Sequence, residues 1–301
     1  MSKVITKVKS YLRIVYAVKN WISFTRNYLL SNETYTVKFR GKKGIDKIVV
    51  YRRDIDRMMV LVSFYRECPT GFFDGEVTSV NFKGRVLKLK SGDSVPVLGE
   101  QFHNEVYKQL NVKGKTVIDV AAGYADASIY FAIRGAKRVV GFEPYKKHRD
   151  LGLENIALNH LEDTCEIHNY AIGDMNIDDF RNHPSYPKIF WVQNNYDYDT
   201  HPVPMITLEA AMKIAHEDRD LVLKMDSEGF EYETILNANP SIISAFDEII
   251  MEFHYGCKKI AERLKQCGFN VICGKATFED DYSRFPPYNL KNIGILYAKK
   301  A

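Results

Sequence analysis

"TVIDVAAGYADASIYFAIRGAKRVVGFEP", residues 116–144, decides the fold. Its rhythm predicts a strand, a tight turn, a helix and a second strand that ends in an acid. That is the start of a doubly wound α/β sheet, in which ligands bind beyond the carboxyl ends of the strands. The turn must let a ligand approach the backbone, yet between Asp119 and Asp126 it holds a single glycine, Gly123, with Ala121 and Ala125 on either side. Asp119 ends the first predicted strand and Glu143 the second, where an acid can accept both ribose hydroxyls of a nucleoside. A dinucleotide needs G-x-G-x-x-G so that its pyrophosphate rests on the helix start. The string A-A-G-Y-A-D does not supply this, and Asp126 puts a negative charge where the phosphates belong. The residues suit a nucleoside ligand without phosphate, for which S-adenosylmethionine is the candidate.

The same alternation continues outward. Short runs rich in valine and isoleucine at 117–121, 138–142, 221–226 and 246–252 predict parallel strands covered on both faces. Helical spacing lies between them at 126–134, 146–160, 206–216 and 256–267. Before Gln101 the pattern is different. "TYTVKF", "KIVVYR" and "RVLKLK", separated by turn signals, predict a small β-rich accessory region over 33–100, with helical spacing in "DIDRMMVLVSFYRE". Val4, Val8, Leu12, Val15, Val18 and Ile22 mark one face of a helix over residues 4–30.

Charge is concentrated at that end. Residues 1–32 carry six lysines and arginines and no acid, so of the net +4 the remainder of the chain holds −2. A near-neutral body argues against a broad nucleic-acid-binding face. The basic helix suits either an anionic membrane surface or packing on the protein's own body. Its lysines and arginines interrupt any apolar core a signal peptide would need, and no apolar run is long enough to span a bilayer. Five dispersed cysteines without a C-x-x-C pair suit free thiols in a reducing cytosol. The expected location is cytoplasmic, with peripheral contact at the inner membrane surface through residues 1–32.

"VIDVAAGYADASIYFAIRGAKRVVGFEPY", "LENIALN", "NYAIGD", "ITLEAAM", "LVLKMDSEGFEYETIL" and "IIMEFH" follow one another in that order. Over residues 101–301 the chain thereby resembles the FkbM-type methyltransferases, a branch of the seven-stranded S-adenosylmethionine-dependent class. The resemblance implies a Rossmann-like sheet closed by an antiparallel pair at "GFNVI…NIGILYAKK". Where the family usually has D-x-G-A-N-x-G, alanines stand at 121 and 125 and Gly123 replaces the asparagine. The implied cofactor-binding set is Asp119, Ala121, Gly123, Tyr124 and Glu143 around the turn, with Asn169, Tyr170 and Ala171 lining the adenine.

"KMDSEGFEYE" is the segment richest in chemistry. In an extended strand Lys224, Asp226 and Glu228 share one side, as Glu252 and His254 do in "MEFH". If the two strands are neighbours, as the resemblance implies, these groups converge. Asp226, Glu228 and His254 are the catalytic candidates: His254 has a suitable ordinary pKa for a base, and Asp226 either orients it or acts itself. Asp226, Glu252 and His254 also form a candidate site for a divalent cation. Glu228 and Glu231 read alternatively as helix-start acids favoured by the dipole. His183, Tyr196, Tyr198 and His201 lie in a long insertion, 174–205, that suits a substrate lid or an aromatic surface loop.

These readings imply an S-adenosylmethionine-dependent O-methyltransferase acting on a sugar or glycoconjugate hydroxyl, the acceptor class coming from the resemblance. The lost glycines leave a second reading, a non-catalytic binding protein on an inherited methyltransferase fold. RNA methylation is a weaker third, without an N-P-P-Y-type tetrapeptide.

Overall fold

The computed structural model describes residues 15, 18–30, 34–38, 48–51, 72–73, 77–90, 95–173, 204–216, 219–275 and 293–301. It divides into two compact units, Met1–Glu105 and Val106–Ala301.

In the first unit, helix α1 (Trp21–Leu29) is followed by the antiparallel pair β1 (Thr34–Val37) and β2 (Ile48–Tyr51). β3 (Phe72–Phe73), β4 (Thr78–Phe82) and β5 (Arg85–Leu89) form a three-stranded antiparallel sheet, and α2 (Val95–Phe102) closes the unit. Val80, Leu87 and Leu89 are buried, as alternation along β4 and β5 requires. The expected unbroken helix over 4–30 is not what forms. Residues 18–20 make a bridge and a turn in which Lys19 N donates to Lys38 O, so the helix starts at Trp21. The segment before Val15 and "DIDRMMVLVSFYRE" lie outside the described residues.

The second unit holds a seven-stranded sheet. Its elements are β6 (Thr116–Val120), α3 (Asp126–Ile133), β7 (Arg138–Phe142), α4 (Lys146–Leu158) and β8 (Cys165–His168). A short parallel pair follows, β9 (Ala171–Ile172) with β10 (Met205–Ile206). Then come α5 (Leu208–Ala215), β11 (Leu221–Met225), α6 (Phe230–Asn237), α7 (Pro240–Ile243), β12 (Phe246–Phe253), α8 (Lys258–Gln266), β13 (Phe269–Cys273) and β14 (Gly294–Lys300). The strand order is β13-β14-β12-β11-β6-β7-β8. β14 runs antiparallel to both its neighbours and the other pairings are parallel.

Every residue of β6 and β11 is buried, which is why these strands read as continuous apolar runs. The chain leaves β6 toward β7 and β8, then returns on the other side of β6 to lay down β11 and β12. The order therefore reverses between β6 and β11, and a crevice opens at their carboxyl ends. Thr207 caps α5 by accepting from Ala210 N, and Ile260, Ala261 and Leu264 turn the apolar face of α8 to the core.

The cysteines correct another expectation. Cys257 and Cys273 are paired in a disulfide, joining the start of α8 to the end of β13, while Cys165 and Cys267 are buried free thiols. Their spacing, 16 residues apart with no motif, hides a contact made only when β13 pairs with β14 at the sheet edge. No helix among the described residues is long and apolar enough to cross a membrane.

Candidate active site

The turn after β6 keeps a glycine-like backbone with alanines in it. Ala121 (φ 57°), Gly123 (φ 53°) and Ala125 (φ 66°) all take the left-handed conformation, which costs a residue with a Cβ about 1–2 kcal/mol. This alternation turns backbone N–H groups inward, a concavity that binds anions. The anion it faces is the protein's own. Glu143 accepts from Gly123 N at 2.8 Å and from Tyr145 N at 2.9 Å. A pyrophosphate would meet a carboxylate here, so the preference for a nucleoside without phosphate has a geometric basis.

Burial pushes Glu143 up to about 7, against the pull of the two backbone donors. Tyr124 and His148 gather beside it. Their polar ends are 3.1 Å apart and their rings 4.5 Å, and His148 Nδ1 is 3.9 Å from Glu143. Burial lowers His148 to about 4, so its imidazole is neutral at physiological pH. Across the turn, a Cβ on Gly152 of α4 would lie 2.8 Å from Ile167 Cδ1 and 3.3 Å from Gly123 O, so a glycine at 152 lets α4 pack closely against the turn. The set fits S-adenosylmethionine. Glu143 has lone pairs left for ribose hydroxyls, and the turn presents backbone and aromatic faces instead of a phosphate cradle.

Asp119 is not a crevice-lining group. It is fully buried, paired with Lys224 at 2.9 Å and accepting from Ser128 Oγ at 2.6 Å. Lys224 also donates to Ala121 O at 3.1 Å, so the ion pair ties β6, β11 and the turn together. Lys224 does not share the exposed side of Asp226 as strand parity suggested, because its long stem carries the charge back under the turn. Asp126, at the head of α3, is pushed up to about 7 by burial, with Lys224 opposing the shift.

Beyond the carboxyl ends of β11 and β12 the expected groups do converge. His254, itself 2% exposed, places Nε2 3.5 Å from Glu228 and 3.9 Å from both Asp226 and Glu252. Glu228 reaches it from a left-handed backbone (φ 55°), with Gly229 continuing the turn at φ 109°. Two residues that sequence reasoning did not select complete the arrangement. Glu231, fully buried, holds His254 Nδ1 at 2.8 Å, and Tyr107 donates to Asp226 Oδ2 at 3.2 Å. Glu231 looked like a helix-start acid, and Tyr107 lies before the first strand of the sheet in sequence with no motif around it.

Burial alone would lower the imidazole pKa, but Glu231, Glu228 and Asp226 together raise it to about 10. His254 is thus a cation at neutral pH, which corrects its expected part as a base. Burial, and Asp226 next to it, push Glu252 up to about 9.

The donor atoms of Asp226, Glu228 and His254 lie within 4.8 Å of one another, close enough to share a cation. A metal ligand must be a neutral imidazole, however, and Glu231, Glu228 and Asp226 favour the protonated form of this one. The residues present fit a self-neutralised charge cluster better than the expected divalent cation. Asn169, expected beside the adenine, donates to the carbonyls of Glu143 and Pro144 and so shapes the loop after β7 through backbone contacts. Ala171 is buried in β9, and Tyr170 is half-buried against the core. His183, Tyr196, Tyr198 and His201 lie outside the described residues.

A Rossmann-like sheet with a nucleoside-type turn and an acid-lined switch point defines the S-adenosylmethionine-dependent methyltransferase class. The methyltransferase FkbM domain matches residues 116–271, more than half of the chain, and the chain belongs to that family. No curated protein is significantly similar to it in sequence. Among solved structures it is similar to a putative RNA methyltransferase from Pyrococcus horikoshii, with 13% identity over 69% of this chain and 84% of that one and a TM-score of 0.39. A putative S-adenosylmethionine-dependent methyltransferase from Streptococcus mutans matches with 12% identity over 91% and 78% of the two chains, at a TM-score of 0.40. A ribosomal protein L11 methylase from Lactobacillus delbrueckii subsp. bulgaricus matches with 16% identity over 66% and 77%, at 0.38. Likenesses at this level carry no argument about substrate.

Proposed function

We propose that this protein is an O-methyltransferase that methylates a hydroxyl of a sugar or glycoconjugate. The observation that carries the reading is the setting of Asp226. One of its oxygens accepts from Tyr107 and the other faces the His254 cation, at the carboxyl end of the strand beside the cofactor turn. It is half-buried, open on one side, and fixed on the other.

Glu143 would hold the ribose hydroxyls, and the backbone around Gly123 the amino acid end. When bound, S-adenosylmethionine supplies an electrophilic methyl carbon on a sulfonium. In-line transfer needs alignment of the acceptor oxygen and removal of its proton. Asp226 would take the proton of an acceptor hydroxyl aligned with that methyl. His254 faces the Asp226 carboxylate, and Glu231 keeps His254 charged and oriented. Tyr107 holds Asp226 in one rotamer.

Calorimetry tests the reading. Saturable micromolar binding of S-adenosylmethionine and S-adenosylhomocysteine is expected, lost in Glu143→Ala. No binding at millimolar cofactor would leave a non-catalytic protein on this fold. Steep, salt-dependent RNA binding would move the acceptor to nucleic acid.

Membrane contact through residues 1–32 is supported by α1, where Ile22, Leu29 and Leu30 are 67%, 74% and 63% exposed beside Arg26. Flotation of the full chain with phosphatidylserine vesicles at low salt, and not with phosphatidylcholine alone, is the expected result.

A further inference from the structure

Among the described residues, the acids around the switch point have partners, with one exception. Asp119 is held by Lys224 and Ser128, Glu143 by the N–H groups of Gly123 and Tyr145, and Asp226 by Tyr107. Glu231, Glu228 and Glu252 face His254. Asp126 is 8% exposed, yet among the described residues no side chain, and no N–H but its own, bonds its carboxyl group.

A polar group buried to that extent is normally hydrogen-bonded, because nothing else offsets its loss of water. Here burial drives the carboxyl up to about 7 even with Lys224 pulling the other way. The helix dipole favours an acid in the first turn of α3, but a solvated acid gains the same benefit without being buried.

Asp126 opens α3 directly after the left-handed Ala125, on the connection leaving β6, and β6 lies between β7 and β11 in the sheet. Its carboxyl is close enough to Lys224, Asp119 and Asp226 to feel the charge of all three. It therefore stands between Glu143, just past the end of β7, and Asp226, just past the end of β11. A cofactor whose ribose is held by Glu143 and whose methyl points to Asp226 carries its amino acid end over β6. That end is an ammonium with three N–H donors beside a carboxylate. No side chain caps the first N–H groups of α3, so the helix head can take the carboxylate while Asp126 takes the ammonium. The sulfonium is a poorer match for Asp126, since it donates no hydrogen bond.

We propose that Asp126 is the acceptor for the α-ammonium of S-adenosylmethionine and makes the turn specific for an adenosyl ligand that bears an α-amino acid. The charge that keeps a pyrophosphate out of this turn is then the charge that recognises the cofactor. The assignment rests on the methyltransferase reading and adds to it the residue that selects the amino acid end.

The test is calorimetry on the full chain above about pH 8, where Asp126 is ionised. The probes are S-adenosylmethionine, S-adenosylhomocysteine, S-adenosylhomocysteine without its α-amino group, and 5′-methylthioadenosine, which lacks the amino acid end altogether. The unaltered chain should bind S-adenosylhomocysteine about tenfold or more tightly than the des-amino compound, as a hydrogen bond to a charged group requires. Asp126→Ala should bring that ratio close to unity, and Asp126→Asn, which keeps an acceptor oxygen without the charge, should leave it intermediate. Affinity for 5′-methylthioadenosine should be unchanged in both variants. Equal binding of S-adenosylhomocysteine and its des-amino analogue by the unaltered chain overturns the proposal, and so does an amino-group preference that survives Asp126→Ala. Equal weakening of every adenosyl probe overturns it by reducing Asp126 to a support of the turn. A loss confined to S-adenosylmethionine overturns it by placing the carboxylate against the sulfonium. Those outcomes leave the methyltransferase reading standing, whereas failure of every adenosyl probe to bind the unaltered chain removes both.

Discussion

Lys224 and Asp119 are register partners across β11 and β6, with Nζ 2.9 Å from the carboxylate and both side chains buried. Burial opposes the lysine charge, and Asp119 with Asp226 more than restores it. Removing one partner of such a pair strands the other. Lys224→Met is expected to cost about 3–5 kcal/mol in urea unfolding, and adding Asp119→Asn to it should recover part of that loss.

The left-handed alanines predict an unusual stabilisation. Replacing Ala121 by glycine relieves about 1–2 kcal/mol of backbone strain and gives back about 0.4–1 kcal/mol in unfolded-chain entropy. A net gain of about 0.5–1 kcal/mol in urea midpoint experiments is expected for Ala121→Gly. Ala125→Gly should gain less, because the Ala125 methyl is buried and its packing would be lost.

His254 makes stability depend on alkaline pH. Its folded pKa, about 10, lies above the ordinary 6.5, so its contribution is fully present below about 6.5 and is lost as pH rises through about 10. Glu252, raised to about 9, acts in the same direction, since the folded chain keeps a proton that the unfolded chain releases. The loss from Glu252 runs between pH 4.5 and about 9 and that from His254 between 6.5 and about 10, so unfolding free energy should fall most steeply where the two overlap. Glu231→Gln should lower the imidazole titration seen by NMR.

Tyr107 touches the candidate base and nothing assigned to cofactor. Tyr107→Phe removes a hydrogen bond to a carboxylate, so kcat is expected to drop about tenfold with S-adenosylhomocysteine affinity unchanged. A loss confined to cofactor affinity would contradict the positioning part given to it.

The Cys257–Cys273 bond closes a 16-residue interval between the start of α8 and the end of β13. Peptide mapping without reductant should recover the cross-linked pair. Reduction, or Cys273→Ser, is expected to cost about 3 kcal/mol of stability.

Much of the fold was legible because it rests on local pattern. The runs at 138–142 and 221–226 read as buried strands, and they are β7 and β11 within one residue. The N-terminal helix was overextended, since apolar spacing from Val4 to Ile22 cannot reveal that Lys19 N is taken by Lys38 O. In the site, Asp226, Glu252 and His254 were readable from strand parity, whereas Glu228 arrives from a left-handed turn beyond the strand end. Glu231 and Tyr107 were not, because each acts through a partner distant in the chain.

The sequence by itself determined the strand–helix order, the family and the absence of a phosphate-type loop, since all three follow from residue types at short spacing. Only the tertiary structure decided what each acid does. Asp119 and Glu143 both end strands, yet one is consumed by Lys224 while the other holds the turn backbone. Likewise His254, an ordinary base in the linear chain, becomes a cation once Glu231, Glu228 and Asp226 are packed around it. Charge states are set by neighbours in space, and the turn that opened the reading is held with alanines in it because Glu143 and Lys224 come from elsewhere to bond its backbone.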